Sequence, residues 1–167
     1  GDEVVGLPQD SAALVAHLRA GPTNAGWQGR DCDAAMPLAA YEDAFKRLPA
    51  STRDAIVSRW GGPAEDPMWD GAALRLPLRR FGNVVVAIQP ARGYNIDPKS
   101  TYHSPDLVPP HNYLALYFWL RHSFNVSAVV HFGKHGNLEW LPGKALALSA
   151  ACFPEAILGP TPHLYPF

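Results

Sequence analysis

The side chains best suited to chemistry fall in one stretch, where two histidines and a glutamate recur at every fourth position: His131, His135 and Glu139. If a helix begins near Gly136, a spacing of four places His135 and Glu139 on one helix face. A neutral imidazole and a carboxylate are suitable ligands for a borderline divalent metal ion, and a carboxylate beside a histidine can also accept a proton. The stretch predicts a metal or proton-transfer site; the alternative is a capped helix start, with His131 a core histidine.

Two glycines flank the middle of this stretch, in the segment Gly133-Lys-His-Gly136, and Asn137 follows them. Glycine lets the backbone turn sharply and approach a ligand closely. Lys134 would then contact an anion, or it is an ordinary solvated lysine. The residues leave both alternatives open.

A second group of polar side chains lies in the proline-framed loop 90–109. Arg92 suits recognition of carboxylates or amides, and Tyr94 and Tyr102 can stack on a flat ligand. His103 adds a third imidazole. The alternative is that these polar groups satisfy the backbone of the loop itself.

The elements that must position these groups differ between the two halves of the chain. Apolar residues at helical spacing make the first half mainly helical, and the turn-rich stretch after Gly61 divides residues 1–70 from residues 71–167. The predicted helices cover residues 10–20, 37–48 and 51–60.

The second half predicts an α/β fold built on a βαβ unit with parallel strands and long proline-rich loops. Residues 83–89 and 127–132 are β-branched runs typical of buried strands, and residues 111–124 form an apolar helix between them. Ligands bind outside the carboxyl ends of such strands. Both polar groups described above follow a predicted strand, so we expect them at the same edge.

Composition narrows the class of protein. Hydrophobic residues make up 47% of the 167-residue chain, which is enough for a packed core. The net charge of −1 argues against a nucleic-acid partner, and no apolar run is long enough to span a membrane. Cys32 and Cys152 are the only cysteines, which favours a reduced, cytoplasmic setting over a disulfide framework.

Three segments together resemble a known family: Gln89–Pro98, Asp106–Pro110 and the run H-F-G-K-H-G-N-L-E-W-L-P-G-K from His131 to Lys144. They look like the large subunits of aerobic cobaltochelatase (CobN) and, more loosely, the H subunits of magnesium chelatase. Lys134 and Trp140 favour the cobalt branch. The close resemblance covers roughly residues 82–167, and the first half matches only weakly.

The resemblance implies a tetrapyrrole-binding subunit of an ATP-dependent cobaltochelatase, a ligase that inserts cobalt(II) into hydrogenobyrinic acid a,c-diamide during cobalamin biosynthesis. Separate AAA+-type partner subunits would hydrolyse the ATP, and this chain would be an internal part of a larger multidomain subunit. One alternative is an H-type subunit that inserts magnesium into protoporphyrin. Another is a non-catalytic module that binds tetrapyrrole or partner subunits.

Within this family the polar residues acquire expected roles. Some would hold the metal or take protons from the ring, and others would bind the ring itself. Glu139 is the expected proton acceptor or transient metal ligand, His135, His131 and His103 would hold the ion, and Arg92, Lys134, Asn137, Tyr94 and Tyr102 would engage the ring and its peripheral groups.

Overall fold

The computed structural model describes residues 4–93, 106–133, 138–143 and 149–166, and of Glu139 it describes the backbone only. Five helices and six short strands lie in these ranges. The helices are α1 (Ser11–Ala20), α2 (Leu38–Lys46), α3 (Ala50–Trp60), α4 (His111–His122) and α5 (Phe153–Leu158). The strands are β1 (Ala35–Pro37), β2 (Ala73–Arg75), β3 (Leu78–Phe81), β4 (Val84–Ala87), β5 (Val129–Val130) and β6 (His163–Leu164), and single 3-10 turns cover Pro63–Glu65 and Leu138–Trp140.

The three helices predicted for the first half are confirmed, and ordinary start and stop residues set their ends. The Asp10 carboxylate caps α1 by accepting the Ala13 amide at 2.8 Å, and Gly21 follows its last residue. Pro37 and Pro49 precede α2 and α3. Proline is tolerated at helix starts because the first backbone amides have no acceptor within the helix.

The mixed helix-and-strand composition is confirmed, but the predicted parallel pairing of β4 with β5 is wrong. In the described part of the chain the strands form three separate two-stranded sheets. β4 pairs antiparallel with β3, because Gly82, at a φ of 66°, closes a tight turn that makes the preceding strand the nearest partner. The parallel pair comes later: β5 pairs with β6, and α5 lies between them in the chain.

Helix α4 lies in the interior, with nine of its twelve residues buried. Its apolar side chains join one cluster with Tyr41 and Ile56 from the first half and with Leu141 and Ile157 from the second. A single core therefore spans the predicted boundary near residue 70. At 12 residues α4 is the longest of the described helices, and none of these is long and apolar enough to cross a membrane.

The N-terminus of α4 receives its cap from a distant residue, because Pro110 offers no side-chain hydrogen bond. The buried carboxylate of Asp66 accepts the Asn112 amide at 2.8 Å, and its other oxygen accepts the Met68 amide at 2.8 Å. A carboxylate at this end of a helix also meets the positive pole of the helix dipole.

A fully buried histidine at the start of α4 links three helices. His111 Nε2 lies 3.0 Å from the Gly61 carbonyl oxygen at the end of α3, and Nδ1 lies 2.6 Å from the Tyr41 hydroxyl on α2. Because a carbonyl only accepts, Nε2 carries the hydrogen and Nδ1 accepts from Tyr41 in the neutral ring. Burial lowers the pKa of His111, which keeps the ring neutral.

We expect Tyr41→Phe to destabilise the chain by about 1–3 kcal/mol, because it leaves the buried Nδ1 of His111 without a donor. Urea denaturation of the 167-residue chain measures this. Tyr113→Phe is the matched control, since the buried Tyr113 hydroxyl makes no hydrogen bond of ordinary geometry with a described residue. Equal losses in the two variants would show that the Tyr41–His111 bond contributes nothing specific.

Stability should fall as the pH drops below about 6.5, the ordinary pKa of histidine. The folded pKa of His111 is lowered, so the unfolded chain binds a proton that the folded chain does not. Stability is complete above the unfolded pKa and declines towards the lowered folded pKa. His111→Gln should retain both hydrogen bonds without titrating, so urea midpoints at about pH 7.5 and about pH 5.5 should differ less in the variant; an unchanged difference would contradict this.

Candidate functional site

Two polar residues that follow strands meet at one side chain of α4. The Tyr117 hydroxyl lies 2.7 Å from Oε1 of Gln89, just after β4, and 3.0 Å from Nε2 of His131, just after β5. The amide nitrogen of Gln89 donates to the Pro90 carbonyl at 3.4 Å, which supports placing its oxygen towards Tyr117. Although β4 and β5 do not pair, their following residues still converge, because α4 packs between them.

This network selects a tautomer for His131. The Tyr117 hydroxyl donates its hydrogen to Gln89, so it accepts from Nε2–H of His131. Nδ1 then keeps its lone pair and makes no hydrogen bond with a described residue. A neutral imidazole with one free lone pair is the form in which histidine binds metals.

The neighbours of His131 keep its ring uncharged. Burial, and then repulsion from His163, lowers the pKa of His131 to about 4. The two rings are T-shaped with centroids 4.5 Å apart, because the parallel pairing of β5 with β6 sets Val129 beside His163. His163 itself is exposed.

Arg92 connects the segment after β4 with the turn that contains Glu139. Its side chain is buried, and Nη1 donates to the Trp140 carbonyl at 2.5 Å. The guanidinium also acts on Tyr113, whose pKa is raised well above its usual value by burial foremost, and by Tyr117, while Arg92 and Gln89 oppose the rise. Tyr117 and Gln89 are thus close enough to Tyr113 to affect its charge, although the Tyr113 hydroxyl makes no hydrogen bond of ordinary geometry with a described residue.

The structure describes two of the predicted site residues in full, His131 and Arg92, and joins them through Tyr117, Gln89 and the short segment between Gln89 and Arg92. Within the described residues no three histidine, cysteine, aspartate or glutamate side chains lie close enough to hold one metal ion. The remaining predictions fall outside the described residues: Tyr94, Tyr102, His103, Lys134, His135, Asn137 and the side chain of Glu139.

Sequence reasoning misses three members of this network. The pattern assigns Tyr117 to the apolar stripe of its helix, Gln89 to a strand end, and His163 to a position outside the polar cluster. The available signal for Tyr117 is that a buried tyrosine hydroxyl needs a polar partner, which neighbouring strand ends can supply.

The CobN/Magnesium Chelatase family model matches residues 1–167, the whole chain. The chain belongs to this family. The match corrects the expectation that the first half resembles the family only weakly.

Similarity to individual family members is highest on the cobalt side. The aerobic cobaltochelatase subunit CobN of Sinorhizobium is 58% identical over 96% of this chain and 13% of its own length. The H subunit of magnesium chelatase from Rhodobacter capsulatus is 33% identical over 95% of this chain and 13% of its own length. The solved structure of the catalytic subunit of cobaltochelatase from Mycobacterium tuberculosis superposes with a TM-score of 0.80 at 38% identity, over 98% of this chain and 14% of that one.

The family members are much longer than this chain, which spans about 13–14% of the length of these three. The superposition on the catalytic cobaltochelatase subunit covers both the helical first half and the second half with its strand-end network. The mixed helix-and-strand fold described above is therefore the fold of this part of the family.

We expect Tyr117→Phe to release the tautomer of His131, because the variant removes the acceptor of Nε2–H. Long-range 1H–15N NMR of the imidazoles should show His131 protonated on Nε2 in the parent chain and distributed over both nitrogens in the variant. Tyr113→Phe, one turn earlier on α4, should leave the spectrum of His131 as it is. An Nδ1-protonated ring in the parent chain would contradict the proposed hydrogen-bond direction.

Proposed function

We propose that these residues belong to the tetrapyrrole-binding subunit of an ATP-dependent cobaltochelatase, which inserts cobalt(II) into hydrogenobyrinic acid a,c-diamide in cobalamin biosynthesis. The observation that carries the proposal is the difference in identity, 58% to a CobN subunit against 33% to a magnesium-chelatase H subunit, over nearly the same part of the chain. That difference favours cobalt over magnesium as the metal substrate. The reaction joins nitrogen to metal, as a ligase does.

The chemistry requires a proton acceptor and a weak metal site. Inserting a divalent ion removes protons from pyrrolic nitrogens and strips water from the metal. Glu139 is the proposed proton acceptor or transient ligand, and the free Nδ1 lone pair of His131 is suited to hold the ion before transfer, together with His135 and His103. Few ligands of mixed type favour delivery, because closed sites with four protein ligands retain their metal.

Other residues would hold the ring. Lys134 and Asn137 would bind its peripheral carboxylates or amides, and Tyr94 or Tyr102 would stack on its flat face. The sequence predicts that Arg92 binds the periphery as well; its burial and its bond to the Trp140 carbonyl support a further role, holding the turn of Glu139 against the segment after β4. AAA+-type partners would hydrolyse ATP, and the remainder of the large subunit would complete the site.

An exposed apolar face favours a second candidate function, a module that binds tetrapyrrole or another part of the complex without catalysis. Phe132, next to His131, is 92% exposed, and Val130 and Leu164 beside it are 55% and 54% exposed. Large apolar side chains grouped at a surface mark sites of association. This candidate predicts that ring binding survives the loss of His135 and Glu139.

Glu139→Gln in the complete subunit, assembled with its ATPase partners, tests the catalytic proposal. A lost general base lowers rates by about 100-fold or more, so we expect cobalt insertion to slow by at least that factor while binding of the metal-free ring is retained. Absorbance of the ring measures both. Glu42→Gln, on α2, is the matched control; an unchanged insertion rate in Glu139→Gln would contradict the role of Glu139.

A further inference from the structure

A cleft of about 220 Å³ lies on the other side of the segment after β4 from the His131 network. One water molecule needs only about 15 Å³ of such space, so the cleft has room for a polar group of several atoms. Its described walls contain no charged residue. They comprise the loop from Thr23 to Gln28, Pro67 and Met68, Pro77, Pro90 and Ala91, and Asn112 at the start of α4.

Hydrogen bonds hold the outer wall of the cleft in place. The side-chain amide of Asn24 donates to the Gln89 carbonyl at 3.0 Å and accepts the Ala91 amide at 3.3 Å. Both groups of this amide are therefore occupied, and the loop is fixed to the segment that also supplies Gln89 to Tyr117 and Arg92 to Trp140. The cleft and the His131 network thus share one wall.

The inner wall carries a side-chain amide that makes no hydrogen bond with a described residue. Asn112 uses its backbone amide to bind Asp66, and the Oδ1 of its side chain is buried. An unpaired buried amide oxygen costs about 1–3 kcal/mol, which a ligand can recover by supplying the missing donor. Because neither group of this amide is engaged by a described residue, Asn112 can offer both an acceptor and a donor to the cleft.

These features select the chemistry of the occupant. A primary carboxamide donates and accepts at once, so it complements the amide of Asn112. A carboxylate only accepts, and it would bring a charge into described walls that hold no opposite charge, which is costly. A short neutral amide arm fits the cleft better than an acid of the same shape.

We propose that this cleft is a carboxamide subsite, in which Asn112 binds an amide arm of the tetrapyrrole and discriminates against the corresponding carboxylate. The inference rests on the proposed function, whose substrate carries two such amides, whereas protoporphyrin carries none. It extends that function by placing part of the substrate selectivity in the first half of the chain and the start of α4. Because Pro90 and Ala91 line the cleft and Arg92 follows them, an arm held here lies next to the segment that joins the His131 network.

Asn112→Ala in the complete subunit tests the proposal. Ring absorbance or fluorescence quenching gives dissociation constants for hydrogenobyrinic acid a,c-diamide and for hydrogenobyrinic acid, which has carboxylates at those two positions. The parent subunit should bind the diamide at least about tenfold more tightly than the acid, and the variant should lose about tenfold for the diamide, as expected for one buried hydrogen bond, with the acid within about twofold. Asn83→Ala, an exposed asparagine in the turn before β4, should behave as the parent.

A second variant guards against a folding defect at α4. Ala91→Leu fills the cleft while keeping the backbone amide that Asn24 binds, and it should remove the same preference for the diamide. Diamide binding that matches the parent in both variants would overturn the carboxamide subsite and leave the proposed function intact, as would an equal loss for diamide and acid. A parent subunit that binds neither ring would overturn the proposed function itself.

Discussion

A helix without a solvent face has to find a partner inside the protein for each polar group it carries, and α4 is such a helix. It takes these partners from different parts of the chain. His111 uses Tyr41 and Gly61, the Asn112 backbone uses Asp66, Tyr117 uses Gln89 and His131, and Arg121 donates to the carbonyls of Ala156 and Ile157. Satisfying one buried helix therefore arranges α2, α3, β4, β5 and α5 around it.

The candidate site is a product of the same requirement. Tyr117 needs partners because it is buried, and the partners it receives are the residues that end two strands. Its hydroxyl thereby directs the His131 ring and leaves Nδ1 available. Structural and functional roles coincide in this network, so its members cannot be changed for chemistry without affecting the packing of α4. Asn112 is the exception, since its side chain serves no described internal contact.

The sequence predicts the helices well because their signals are local: apolar spacing, Asp10 as a cap, and glycine or proline at the ends. It predicts strand pairing poorly, because pairing depends on partners elsewhere. Leu78–Phe81 contains Arg79 and Arg80 and does not look like a strand, yet Arg79 is buried against Asp33, at 2.6 Å, and this pairing masks its charge. The family motifs identify the second half, whereas the Asn24 and Asn112 cleft depends on contacts that no spacing along the chain indicates.

The hydrogen bonds of the core differ greatly in the length of chain they enclose. The turn at Gly82 brings β3 and β4 together within a few residues, whereas the Asp66–Asn112 and Tyr41–His111 bonds join residues 46 and 70 positions apart. Closing a long loop costs more chain entropy and slows folding, so the hairpin should form first and α4 should dock last. During synthesis, α2 and α3 would emerge with Tyr41 and Ile56 uncovered until α4 arrives. The interval before that arrival is when the first half is most exposed to misassociation.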